Sequence, residues 1–131
     1  MRKLIALALV LSGALIARPA GAAVTVIATD QASRTTNSYA TPVVVTAVGG
    51  PLTFLNGDFQ PHGLASVQLG PDTQSWCTFF PQHHCPLIWA PVTDAGYRTN
   101  AVQGLANTVS GQTYNLYCVI HPNVVGTLLT V

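Results

Sequence analysis

The sequence predicts an all-β domain, a small sandwich or barrel, and three observations predict it. Short runs rich in Val, Thr, Tyr and Leu recur along the chain. Turn-forming clusters of Gly, Pro, Asn and Asp separate them. Beyond residue 22, no window of eleven or more residues carries a convincing helical period of 3.6.

The chain opens differently. Arg2 and Lys3 precede an apolar run from Leu4 to Ala17, and small residues follow, with Ala20-Gly21-Ala22 as the expected cleavage site. That order of charge, apolar core and small residues is the pattern of a secretory signal peptide over 1–22. The apolar run is short for a membrane span, so a retained anchor is the lesser reading and no span is expected after cleavage. A twin arginine is absent, as is a cysteine that could carry a lipid after the cut. The expected location is periplasmic or secreted, and the domain is expected over 23–131.

Within that domain the candidate strands, in order, are AVTVIA (23–28), TPVVVTAV (41–48), PLTFLN (51–56), GLASVQL (63–69), TYNLYCV (113–119) and GTLLTV (126–131). Gly49-Gly50-Pro51, Asn56-Gly57-Asp58, Gly70-Pro71-Asp72 and Ser110-Gly111 supply turns. The segment 94–105 is expected to hold at most one helical turn. In TYNLYC, alternation places Tyr114, Leu116 and Cys118 on the inward face and Tyr117 on the other.

Charge is sparse. Arg34 and Arg98 stand against Asp30, Asp58, Asp72 and Asp94, with no lysine or glutamate beyond residue 22. A nucleic-acid partner would need a basic stripe, and none is present. Neutral polar and apolar surface suits a dry docking face. No paired carboxylates, phosphate-binding glycine loop or Ser/His/Asp set appears, so an enzyme is not expected.

Three cysteines, Cys77, Cys85 and Cys118, bear on the chemistry. In an oxidising compartment two should pair, and Cys77 with Cys85 is the natural local bridge. A zinc site using Cys77, His83, His84 and Cys85 is the alternative, but adjacent histidines on a strand point to opposite faces. The aromatic residues Trp76, Phe79, Phe80 and Trp89 are expected in core or loop packing rather than a docking face. Cys118 is left over, three positions before His121, and that spacing suits two metal ligands held by a strand end and a loop stiffened by Pro122. His62, in FLNGDFQPHG, offers a third.

At these residues the chain resembles the cupredoxins, the small blue copper proteins of the plastocyanin and amicyanin kind. The resemblance rests on F-x-N-x-D followed by P-H (Phe54 to His62) and, more specifically, on Y-x-L-Y-C-x-x-H-P-x-V-x-G (Tyr114 to Gly126). It implies a cupredoxin-like Greek-key β-sandwich. It also implies one type 1 copper ion held by His62, Cys118 and His121, and one-electron carriage between redox protein partners by a monomer. Tyr114 matches a corner tyrosine, and Tyr117, His121, Pro122 and Asn123 match the region of electron exit and docking.

The chain also departs from the family's pattern. The axial methionine position falls at Val124, or with a longer loop at Val125, and the only methionine in the sequence is Met1. Two imidazoles and a thiolate make an electron-transfer site whose potential the axial contact tunes. An apolar valine disfavours the more highly charged Cu(II) state, so a raised potential is expected. The asparagine usual after the first histidine is Gly63, which leaves a backbone N–H to offer the sulfur. The carbonyl of Pro61 is expected on the side opposite Val124. A copper chaperone or store, and a structural domain that no longer binds copper, are the competing functions.

Overall fold

The computed structural model describes residues 24–29, 38–96 and 98–131. The expected signal peptide over 1–22, and the first residue of the expected domain, lie outside the described residues.

Eight strands are present among the described residues: β1 (Val24–Thr29), β2 (Ser38–Thr46), β3 (Leu52–Gly57), β4 (His62–Ser66), β5 (Trp89–Thr93), β6 (Arg98–Ala101), β7 (Thr113–Tyr117) and β8 (Val125–Thr130). They form a three-stranded sheet in the order β1-β3-β6 and a five-stranded sheet in the order β2-β8-β7-β4-β5. The pairs β1/β3 and β2/β8 are parallel, and the other pairs are antiparallel. The core between the sheets contains Val26, Tyr39, Phe54, Leu64, Ile88, Leu116 and Leu128, all buried.

All six expected strands exist, with shifted ends. Two further strands, β5 and β6, were not expected. β5 carries Pro91 inside Trp-Ala-Pro-Val-Thr, and proline argues against a central strand because it cannot donate to the ladder. The structure resolves the conflict by placing β5 at a sheet edge. β6 reads Arg-Thr-Asn-Ala, has no buried residue, and also lies at an edge. It occupies the segment where at most a helical turn was expected; the one turn of 3-10 helix there follows later, at Leu105–Asn107. At the edge strand β2, the register against β8 shifts between Ser38 and Val43, a stretch that contains Pro42. Short, proline-bearing or bulged edges protect a sheet from pairing with another chain.

Two inward rows position the site. On β3, Leu52, Phe54 and Asn56 alternate inward. On β7, Tyr114 and Leu116 do the same, and Cys118 follows just past the strand end. The Tyr114 hydroxyl accepts the Val109 N–H at 2.8 Å.

Cys77 and Cys85 are disulfide-bonded, with Cα atoms 5.1 Å apart. His83 and His84 are exposed and join no ligand group among the described residues. His83 Nδ1 instead lies 2.7 Å from an Asp72 carboxylate oxygen. Just before the disulfide-closed loop Trp76 is buried, and its indole N–H donates to the Pro86 carbonyl. Trp89 stacks against Trp76 and Phe79, with Phe80 edge-on. Loop packing therefore accounts for these rings, but Phe79 stays 74% exposed, so its outer face is open surface.

One glycine fixes how the loop after β6 meets this region. Gly104 has φ +90°, and a Cβ there would sit 1.9 Å from the Leu87 carbonyl oxygen. Gly111 has φ +79° with nothing within 4 Å of a Cβ. Gly104→Ala is predicted to cost about 2–5 kcal/mol, combining left-handed strain with a backbone clash, whereas Gly111→Ala costs about 1–2 kcal/mol from strain alone. Urea unfolding of the two variants against the parent measures the difference.

Candidate metal centre

His62 opens β4 and is fully buried. Its Nε2 lies 2.7 Å from Asp58 Oδ2, and its Nδ1 lies 3.6 Å from Cys118 Sγ. Because the carboxylate accepts a hydrogen bond from Nε2–H, the Nδ1 lone pair faces the sulfur. His121 Nδ1 lies 3.8 Å from the same sulfur, and the two imidazole rings are 4.8 Å apart, tilted by 46°. Cys118 is buried and is the free cysteine among the described residues.

Cys118 and His121 share one connection between β7 and β8. Tyr117 pairs with Val125. Inside that pair the Cys118 N–H donates to the Val124 carbonyl at 2.9 Å, and the Val124 N–H donates to the His121 carbonyl at 2.8 Å. The seven residues 118–124 are thus closed on themselves, so the Cys-x-x-His spacing becomes one fixed geometry. Val124 is fully buried beneath this loop, Pro122 and Asn123 are exposed, and His121 and Tyr117 are half-buried.

The first histidine is held by a second network. Asn56 Nδ2 donates to the carbonyls of Gln60, Thr93 and Asp94, and its Oδ1 accepts the Asp58 N–H. Asp58 Oδ1 accepts the Phe59 N–H at 2.6 Å. One buried amide therefore winds the β3–β4 loop and ties it to the end of β5.

Gly63 links the two halves. Its N–H donates to Cys118 Sγ at 3.4 Å, and its carbonyl accepts the Tyr39 hydroxyl at 2.7 Å. A Cβ at Gly63 would lie 3.0 Å from one Val119 methyl and 3.2 Å from one Val92 methyl. A side chain at position 63 would press on both methyls, and Asn56 ties the β3–β4 loop to the end of β5 rather than to the 118–124 loop. Pro61, immediately before His62, is exposed.

The three donor atoms of His62, Cys118 and His121 lie within 4.8 Å of one another and could hold a metal ion. With metal–sulfur and metal–nitrogen bonds of about 2.3 and 2.0 Å, a trigonal arrangement needs sulfur–nitrogen separations of about 3.7 Å. The observed 3.6 and 3.8 Å fit.

Three supporting residues escaped the sequence reading. Asn56 and Asp58 lay inside a quoted motif, and the inward row of β3 with the four-residue step from Asp58 to His62 was the available signal. Tyr39 gave none, because its partner is 24 positions away. Burial first, then the Cys118 and Tyr117 charges, push the Tyr39 phenol above its ordinary pKa.

No family profile matches the chain, and no curated protein matches it. Solved structures do. The reduced Cu(I) form at pH 4 of a proline-to-glycine mutant of amicyanin has TM-score 0.55 at 19% identity, covering 90% of this chain and 88% of that one. An oxidised methionine-to-lysine mutant of amicyanin has TM-score 0.55 at 19% identity, covering 83% and 82%. Amicyanin from Paracoccus versutus (Thiobacillus versutus) has TM-score 0.53 at 17% identity, covering 85% and 83%. The expected cupredoxin β-sandwich is therefore the fold of this chain.

The Tyr39–Gly63 bond generates a prediction with a pH sign. Tyr39→Phe leaves a buried carbonyl without its donor and is expected to cost about 1–3 kcal/mol at neutral pH. Since the folded phenol titrates above the unfolded one, the stability it confers is fully present below about pH 10 and is lost as pH rises beyond that. Urea midpoints measured from pH 8 to 11 should fall less steeply above pH 10 for Tyr39→Phe than for the parent.

Proposed function

We propose that this chain is an electron carrier that holds one copper ion through His62, Cys118 and His121. The observation that carries the reading is the convergence of these donors, two of them buried, at separations suited to a trigonal ion. Two imidazoles and a thiolate in that arrangement form an electron-transfer site. Bound copper supplies a one-electron couple between Cu(II) and Cu(I).

The chain's own residues do the rest. The closed 118–124 loop and the Asn56 network hold the ligands in one arrangement whatever the charge between them, which favours fast transfer. In this reading the buried Val124, which has no electron pair to give, and the Pro61 carbonyl would lie on either side of a bound ion. His121, half-exposed with Pro122 and Asn123 around it, provides the exit toward redox protein partners, with Tyr117 as the second docking residue. Three protein ligands and a buried valine leave a substrate little access, consistent with a carrier rather than an enzyme. No helix among the described residues is long and apolar enough to cross a membrane. The signal pattern over 1–22 supports a periplasmic or secreted location.

Addition of Cu(II) to the purified protein is expected to give an intense blue thiolate-to-copper band saturating at one equivalent, and Cys118→Ser is expected to abolish it. A band that survives in Cys118→Ser would overturn the ligand assignment. Retention of copper against a modest chelator separates a carrier from a copper donor. Val124→Met is expected to lower the reduction potential, because a thioether gives Cu(II) an electron pair that valine withholds; an unchanged or higher potential would remove Val124 from the axial position.

A further inference from the structure

Most of the metal shell is apolar, with one exception that the sequence reading did not use. The Asp58 carboxylate is 4% exposed and lies 2.7 Å from the ring nitrogen of His62 that faces away from the sulfur. Its other oxygen accepts the Phe59 N–H at 2.6 Å, and its own N–H is fixed by Asn56. The carboxylate is thus held by the fold at one end of an imidazole whose other end faces the ligand cluster.

We propose that Asp58 is a positioning residue that fixes the His62 ring for copper and biases the site toward Cu(II), in opposition to Val124. The inference rests on the copper-carrier reading and adds to it a determinant of potential.

Two physical effects act in the same direction. The first is orientation and basicity. A ligating imidazole that donates its second N–H to a carboxylate has a defined tautomer and a more basic ligating nitrogen. A more basic nitrogen stabilises the more highly charged oxidation state.

The second effect is charge. Ion and thiolate alone sum to a positive site with Cu(II) and a neutral one with Cu(I), so an apolar shell works against oxidation. With the Asp58 carboxylate included, the oxidised cluster is neutral and the reduced one negative. The low-polarity surroundings then penalise the reduced state instead. The raised potential expected from Val124 alone is thereby offset within the same pocket.

The test uses the copper-loaded parent and Asp58→Asn, an isosteric change that keeps an acceptor oxygen for His62 and removes the charge. Affinities for Cu(II) and Cu(I) are measured separately, and the potential is measured by voltammetry. The ratio of Cu(II) to Cu(I) affinity is expected to fall about tenfold or more, which raises the potential by about 59 mV per tenfold. A purely structural role would weaken both oxidation states equally and leave the potential unmoved.

If the parent forms no blue site, the copper reading itself fails. If the parent forms one and Asp58→Asn keeps its potential, only the role of Asp58 is overturned. Should Asp58→Asn not fold, the Zn(II)-loaded parent decides by proton NMR. A strongly deshielded, slowly exchanging His62 Nε2–H is expected, and a signal at the ordinary imidazole position with fast exchange would overturn the proposal.

Discussion

The contact between the Gly63 N–H and the Cys118 sulfur is where the two halves of the site meet. One half, the β3–β4 loop with His62, comes from the first half of the chain; the other, the 118–124 loop, comes from its end. A sulfur buried among apolar side chains gains from a hydrogen-bond donor, and the Gly63 amide supplies one at 3.4 Å. The same glycine is clamped from behind by the Tyr39 hydroxyl and walled by Val92 and Val119.

The two loops that carry the candidate ligands are each braced by hydrogen bonds of the polypeptide itself. Asn56 satisfies three carbonyls and one N–H around the first loop, and two internal backbone bonds close the second. Among the described residues, no buried side-chain nitrogen or oxygen lacks a hydrogen-bond partner. A buried polar network that is fully satisfied specifies a single arrangement, whereas a partly satisfied one would destabilise the end of the sandwich.

How much of this was legible in the sequence follows from the range of the interactions. Alternation along β7 is local, so it placed Tyr114, Leu116 and Cys118 inward correctly. The leftover cysteine beside His121 was a local signal too, and so was the Cys77–Cys85 bridge. The edge strands β5 and β6 were missed because proline and polar residues carry negative strand propensity that tertiary pairing overrides. Tyr39 and Asp58 were missed for another reason. Their roles depend on which backbone and ring atoms they meet, and a period of two reports the face of a sheet but not the partner across it.

The aromatic loop bears on the site through the same wall. Val92 belongs to β5, which continues from Trp89, and Trp89 packs against Trp76 and against Phe79 and Phe80 of the disulfide-closed segment. Phe79, Phe80, Trp89, Pro91, Val92 and Val119 together line one apolar concavity. Val119 follows the cysteine directly, and both valines touch the space a side chain at Gly63 would need. The disulfide therefore does more than close a surface loop. Its loop carries Phe79 and Phe80 against Trp89 of β5, and β5 carries Val92, whose methyl would lie 3.2 Å from a Cβ at Gly63. Stability at the distant loop and geometry at the ligand cluster are parts of one packing arrangement, joined through two valine side chains.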